Sequence, residues 1–200
     1  HNILSLKHCP SKDPIVRLAT LIHDIGKPKV KGEDEDGLVT FYNHEVAGAK
    51  IACEICDRLR LSKKETERVV SLIRWHMFSV DERVSDAGVR RFIRRIGIEN
   101  VKDLIDLRVG DRLGSGTKDA ESWRLKKFKE RLEKELAPAA FSINDLAIDG
   151  NDVMRELNIK PGPQVGKLLQ QLFEEVDEDL SKNNKEYLLK RAREMKRNEA

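Results

Sequence analysis

The sequence predicts an all-α protein, a helical bundle followed by a smaller C-terminal helical unit. Three observations carry this. Of 200 residues, 39% are hydrophobic, 36% charged and only 5% aromatic, the balance of helices with heavily charged outer faces. Apolar residues recur at three- and four-residue spacing, as in Ile15, Leu18, Ala19 and Ile22. Helix-start signals punctuate the chain, notably Asp13-Pro14 and the capping box Ser62-Lys63-Lys64-Glu65.

Taken in order, His1-Asn2-Ile3-Leu4-Ser5-Leu6 reads as a helix already under way, with no cap before it. Either the chain is the later part of a longer protein or His1 is left from a purification tag. His8, in Lys7-His8-Cys9-Pro10, reads as a solvated loop residue. Asp13-Pro14 opens a helix that runs into His23-Asp24, where Gly26 turns the chain and Pro28 prevents the helix from continuing. Residues 29–42 read as loop, with Glu33-Asp34-Glu35-Asp36 a solvated acidic patch. Asn43 is the cap of the next helix, with His44 in its first turn, Glu45 beside it, and Ala47, Gly48 and Ala52 small enough for close helix approach. The helix opened by Ser62 buries Val69, Val70, Leu72 and Ile73 and ends at Trp75-His76-Met77.

Ser85 or Asp86 caps a helix with Val89, Phe92, Ile93 and Ile96 inside, closed by Gly97. Its other side carries Arg90, Arg91, Arg94 and Arg95, a cationic stripe suited to RNA phosphates or simply to water. The next helix delivers Asp111 between Arg108 and Arg112. Gly114-Ser115-Gly116 reads as a joint, so the first unit spans 1–116. Asp119 starts a connecting helix over 117–138 that Pro138 stops, and 139–200 form the second unit. There Asn151 caps a short helix, Pro161-Gly162-Pro163 leads into another, and a last helix from Asn184 ends in the basic run Lys190, Arg191, Arg193, Lys196 and Arg197.

The net charge of +3 is too small to mark a nucleic-acid surface by itself. Three cysteines give no even disulfide framework, and Cys53 and Cys56 read as buried thiols on an apolar helical face. With no membrane-length apolar run and no signal segment, a cytoplasmic location and no membrane partner are expected.

The chemistry concentrates in the histidines. An isolated His23-Asp24 pair is only a helix end with a packed imidazole. Five histidines are present, however, and His1, His23-Asp24, His44, His76 and Asp111 follow one another in the order His…His-Asp…His…His…Asp. Imidazoles and carboxylates together supply the mixed nitrogen and oxygen donors that divalent cations use, among them Mg, Mn, Ni, Fe and Zn.

That order resembles the HD superfamily of metal-dependent phosphohydrolases. Leu21-Ile22-His23-Asp24-Ile25-Gly26-Lys27-Pro28, Phe41-Tyr42-Asn43-His44-Glu45 and Arg58-Leu59-Arg60-Leu61-Ser62 are similar to the HD region of bacterial CCA-adding enzymes. Ile148-Asp149-Gly150-Asn151-Asp152-Val153-Met154 and Pro161-Gly162-Pro163-Gln164-Val165-Gly166 resemble the same family's C-terminal body. The resemblance implies an HD-type bundle in which His1, His23, Asp24 and Asp111 hold a principal divalent metal. His44 and His76 would hold a second, with Asp24 bridging, and Lys27 would neutralise a phosphate oxygen or else meet the helix dipole. It implies a phosphohydrolase in which Asp24 and Lys27 are catalytic, acting on phosphomonoesters or 2′,3′-cyclic phosphodiesters of nucleotides or RNA ends. The alternative is a non-catalytic tRNA-binding region of a CCA-adding enzyme. The carboxylate pair after Gly-Ser used for nucleotide addition is missing from this sequence, so the chain alone is not expected to polymerise nucleotides.

Overall fold

The computed structural model describes residues 1–78, 84–139 and 141–198. It is all-α, as the sequence predicts: α1 Asn2–His8, α2 Pro14–Ile22, α3 His44–Arg58, α4 Lys63–Trp75, α5 Asp86–Ile96, α6 Val101–Gly114, α7 Trp123–Ala139, α8 Gly150–Leu157, α9 Pro163–Glu178 and α10 Lys185–Asn198. Within residues 29–42, Gly32–Glu33 (β1) and Val39–Thr40 (β2) pair antiparallel around the acidic turn.

Local chemistry sets most of the helix starts. Asp13 Oδ1 accepts from Ile15 N at 2.8 Å ahead of Pro14, and Ser62 and Glu65 satisfy each other's backbone N–H groups. Ser85, rather than Asp86, caps α5 by accepting from Gly88 N. Three expectations shift. The cap of α7 is Ser122, which accepts from Leu125 N, so the helix begins at Trp123 and not at Asp119. Pro138 lies inside its last turn, one residue before the end. At α8 the capping side chain is Asp149, accepting from Asp152 N at 2.9 Å, and not Asn151. Asn43 stands before α3 with left-handed backbone (φ 60°) and makes no side-chain cap bond.

Two apolar cores result. The larger gathers Val16, Ala52, Leu72, Ile93, Leu104 and Leu107 from α2 to α6 and continues into Leu125, Phe128 and Leu132 of α7. The smaller is built by Val153, Leu168, Leu172, Val176 and Leu188 from α8, α9 and α10. Cys56 is buried, but Cys53 points outward, because it falls off the inner stripe of α3.

Close helix approaches are bought with glycine. A Cβ on Gly114 would lie 2.2 Å from Ser5 Oγ and 2.6 Å from Ser5 N, and one on Gly110 would lie 2.7 Å from Ser5 O. These two glycines let α1 lie directly on α6, so Gly114 serves contact as well as chain turning. Gly26 acts likewise: its Cβ would stand 2.1 Å from His44 O and 2.5 Å from Gly48 N. The end of α2 and the start of α3 therefore meet backbone to backbone, as small residues such as Gly48 lead one to expect.

Candidate metal centre

His23 and His76 follow the last residues of α2 and α4, and His44 opens α3. Each turns Nδ1 to a carbonyl three residues earlier: His23 to Thr20 at 2.8 Å, His44 to Phe41 at 2.9 Å and His76 to Ile73 at 2.7 Å. A carbonyl only accepts, so Nδ1 carries the proton and a neutral ring presents its Nε2 lone pair. At the ends of α2 and α4 the same bond satisfies a last-turn carbonyl that the helix leaves open. One interaction thus finishes the helix and fixes the tautomer, the role that outer hydrogen bonds play for metal-binding histidines.

The lone pairs converge. His1 Nε2 is 3.2 Å from His23 Nε2, 3.3 Å from Asp24 Oδ2 and 3.1 Å from Asp111 Oδ1. His23 Nε2 is 3.5 Å from Asp24 Oδ2 and 3.4 Å from Asp111 Oδ1. On the other side of Asp24, Oδ1 lies 3.4 Å from His44 Nε2 and 3.8 Å from His76 Nε2, which are 3.2 Å from each other. Asp24 therefore stands between two donor groups and turns one oxygen to each. Donors held at about 2.1 Å around one ion are about 3.0–3.4 Å apart in octahedral or tetrahedral geometry, close to the 3.1–3.5 Å of the first group, while the second is wider at His76–Asp24, 3.8 Å. Metal-compatible clusters among the described residues include His1-His23-Asp111 and His23-Asp24-His76.

His23, Asp24, His44 and His76 are buried, and His1 is the most open donor. Burial opposes protonation of His23, but the hydrogen bond to Asp111 and the charge of Asp24 outweigh it and raise its pKa. For His76 burial prevails, helped by the neighbouring imidazoles, and the ring is pushed down to about 4. Burial would raise the Asp111 carboxyl, yet His23 and Arg108 hold it below the usual carboxylate range.

Lys27 Nζ sits 2.6 Å from Asp24 Oδ2, so its ammonium already meets the central carboxylate. Arg108 Nη1 donates to Asp111 Oδ2 at 2.9 Å. His8 ends α1 on the surface.

The arginine stripe needs correction at Arg90 and Arg94. Arg90 is buried, with Nε 2.9 Å from Asp177 Oδ1 and Nη1 2.5 Å from Glu135 Oε2. Arg94 bonds the other oxygen of Asp177, and Arg91 bonds Glu178. Arg90 and Arg94 clasp α5 to α7 and α9, because carboxylates far along the chain fold against them, while Arg91 stays half exposed. Arg95 is exposed and lies 5.8 Å over the Trp75 ring.

Sequence reasoning passed over the carbonyls that fix the imidazoles, since backbone groups leave no residue-type signal. It also missed an aromatic wall beside the centre, formed by Trp75, Phe78, Phe92 and Phe128. Phe78, Phe92 and Phe128 face one another with ring centroids 5.4–5.8 Å apart. Their positions, scattered over three parts of the chain, carry no local signal that the rings meet.

Among the described residues no helix is long and apolar enough to cross a membrane. The chain is 34% identical over 179 residues to an A-adding tRNA nucleotidyltransferase from Deinococcus radiodurans, an alignment covering 87% of this chain and 40% of that protein. It is 36% identical over 160 residues to a CC-adding tRNA nucleotidyltransferase from Thermus thermophilus, covering 79% of this chain and 35% of that one. A bifunctional uridylyltransferase/uridylyl-removing enzyme from Azospirillum brasilense is 31% identical over 119 residues, 56% of this chain and 12% of its own length. The chain thus spans well under half of each of these relatives. The family model described as tRNA nucleotidyltransferase domain 2 matches residues 38–192, which include His44, His76, Asp111 and most of both cores. By that match over most of its length, the chain belongs to the tRNA nucleotidyltransferase domain 2 family.

Proposed function

We propose that this chain is a tRNA-engaging helical region of a tRNA nucleotidyltransferase and that its His–Asp centre holds divalent cations. The family match and the A-adding and CC-adding relatives favour this reading, first expected as the alternative, over a free-standing phosphohydrolase. The single observation behind the cation is the facing of ring nitrogens, His1 Nε2 to His23 Nε2 and His44 Nε2 to His76 Nε2, each pair 3.2 Å apart around Asp24. Two ring nitrogens at that distance share either a proton or a cation, and the carboxylates on both sides favour positive charge there. The donors are imidazole and carboxylate without thiolate, which suits Mn, Fe, Ni, Zn or Mg.

A second reading, hydrolysis of a phosphate ester at the same centre, is favoured by Asp24 serving two donor groups with an ammonium beside it. A uridylyl-removing relative, by its name, carries out a removal as well as a transfer. A divalent cation there supplies Lewis acidity and a bound water acidic enough to ionise near neutral pH. The chain's own contributions are positional. The Nδ1–H bonds hold the rings, Asp24 keeps the two donor groups in register, and Lys27 sets a fixed positive charge where phosphoryl oxygens gather negative charge. Nucleotides or RNA ends, as phosphomonoesters or 2′,3′-cyclic phosphodiesters, are the substrates this reading takes.

Metal analysis of the purified chain, then phosphatase and cyclic phosphodiesterase assays beside a tRNA gel shift, test both readings. Cation content and hydrolysis should be abolished by Asp24→Ala while tRNA binding persists. Hydrolysis surviving Asp24→Ala refutes the metal mechanism, and failure to shift tRNA at micromolar chain refutes the first reading.

A further inference from the structure

We propose that the apolar cavity beside the His–Asp centre seats a nucleobase, so that the centre acts on nucleotides or RNA ends and not on phosphate esters at large; this rests on the hydrolytic reading above. The cavity measures about 320 Å³ and is walled by Trp75, Phe78, Phe92 and Phe128, with Glu45 and Arg74 at its polar edge. A space of this size, mostly apolar with a few polar groups converging on it, is the usual form of a small-molecule site.

Its position ties it to the centre through three donors. Glu45 follows His44, and its Oε2 lies 4.0 Å from that ring's Nδ1. Trp75 immediately precedes His76 in the chain. Arg108, which bonds Asp111 at 2.9 Å, lies 5.8 Å from the Phe78 ring centroid. The cavity lining thus adjoins three of the donors, and a phosphate at the centre is taken to carry its base into it.

The chemistry of the wall selects a flat heteroaromatic ring. Phe78 and Phe128 are buried and stacked on each other, so the partly exposed rings of Phe92 and Trp75 are the ones that offer a face to a base. The Trp75 ring is already flanked by two guanidinium groups, Arg74 at 4.7 Å and Arg95 at 5.8 Å, which makes this edge cationic as well as aromatic. Glu45, 3.5 Å from Arg74, is a carboxylate and can only accept hydrogen bonds. An accepting group at the rim favours bases with an exocyclic amine, such as cytosine, over uracil, whose corresponding position is a carbonyl.

Equilibrium binding of CMP, UMP, ribose 5-phosphate and inorganic phosphate to the Mn²⁺-loaded chain, by calorimetry, tests this without requiring turnover. CMP should bind on the order of tenfold more tightly than ribose 5-phosphate, the gain of stacking one base. UMP should fall between them. Glu45→Gln should bring CMP and UMP together, and Phe92→Leu should weaken both while leaving ribose 5-phosphate unchanged. Equal affinity for CMP and ribose 5-phosphate overturns the base site even if both are hydrolysed. Tight CMP binding with no phosphate released upholds the base site and retires the hydrolytic reading.

Discussion

Gly114→Ala is expected to loosen the centre from a distance. The new Cβ would lie 2.2 Å from Ser5 Oγ and 2.6 Å from Ser5 N, where ordinary contact begins near 3.4 Å. The hydroxyl can rotate, but the backbone nitrogen cannot, so α1 must retreat from α6 by about 1 Å. His1 is one helical turn from Ser5, whose N donates to His1 O at 2.9 Å, so His1 moves with the helix. A donor set tolerates about 0.5 Å of misplacement. The variant should bind Mn²⁺ on the order of 10–100-fold more weakly, as when an outer support of a metal site is lost. Metal-free stability should fall by about 1–3 kcal/mol from overpacking. Calorimetric titration with Mn²⁺ and thermal unfolding in chelator measure the two effects. Gly166→Ala is the control: it lies in α9 with no atom within 4 Å of the added carbon, and should gain about 0.5–1 kcal/mol. Unchanged Mn²⁺ affinity in Gly114→Ala, with His1→Ala clearly weakened, would show that α6 does not position His1.

Three further outcomes follow from the packing and the charges. Arg90→Ala takes the guanidinium from Glu135 and leaves Asp177 with Arg94 alone, both carboxylates being 2–3% exposed, and should cost about 3 kcal/mol in urea unfolding; a loss below 1 kcal/mol would mean that the clasp is solvated. Gly26→Ala drives a Cβ against the His44 carbonyl and should destabilise the metal-free chain by at least about 2 kcal/mol, read as a drop in melting temperature. In chelator, His76 makes stability pH-dependent. Its folded pKa near 4 lies below the unfolded value of 6.5, so the unfolded chain takes the proton first and stability is lost as pH falls from about 6.5 to about 4. The size is about 3 kcal/mol at 1.4 kcal/mol per unit. His76→Leu should flatten that part of the pH profile relative to wild type, and parallel profiles would contradict it.

What could be read in advance was whatever neighbouring residues decide. Asp13 with Pro14, Ser62 with Glu65, and Ser85 ahead of Ala87 and Val89 are local signals, and the helices they start are present. Where two local candidates compete, the sequence misplaces the boundary. Asp149 took the cap from Asn151, and Ser122 displaced the predicted start at Asp119 by three residues. The histidine order pointed to one meeting place, and the six side chains do meet, but the order says nothing of which oxygen of Asp24 faces which ring. At Arg90 and Arg94 the arginine stripe misled for a non-local reason. Amphipathic spacing identifies a polar face without naming what covers it, and Glu135 and Asp177 arrive from helices that follow much later. Gly26 and Gly114 were legible as breaks in a helix and not as contacts, because the atoms they admit belong to α3 and α1.

The distribution of the donors over α1, the ends of α2 and α4, the start of α3 and the end of α6 has a kinetic corollary. His1 and Asp111 are separated by more than half of the chain, so this pair closes a long loop in the first core, and loop closure of that span is among the slower, entropically dearer events of folding. The ion-binding arrangement can exist only after α1 has docked in the groove that Gly110 and Gly114 leave open. Capture of Mn²⁺ during refolding should therefore lag the recovery of helical signal, making the cation a timer for the final docking of the amino-terminal helix.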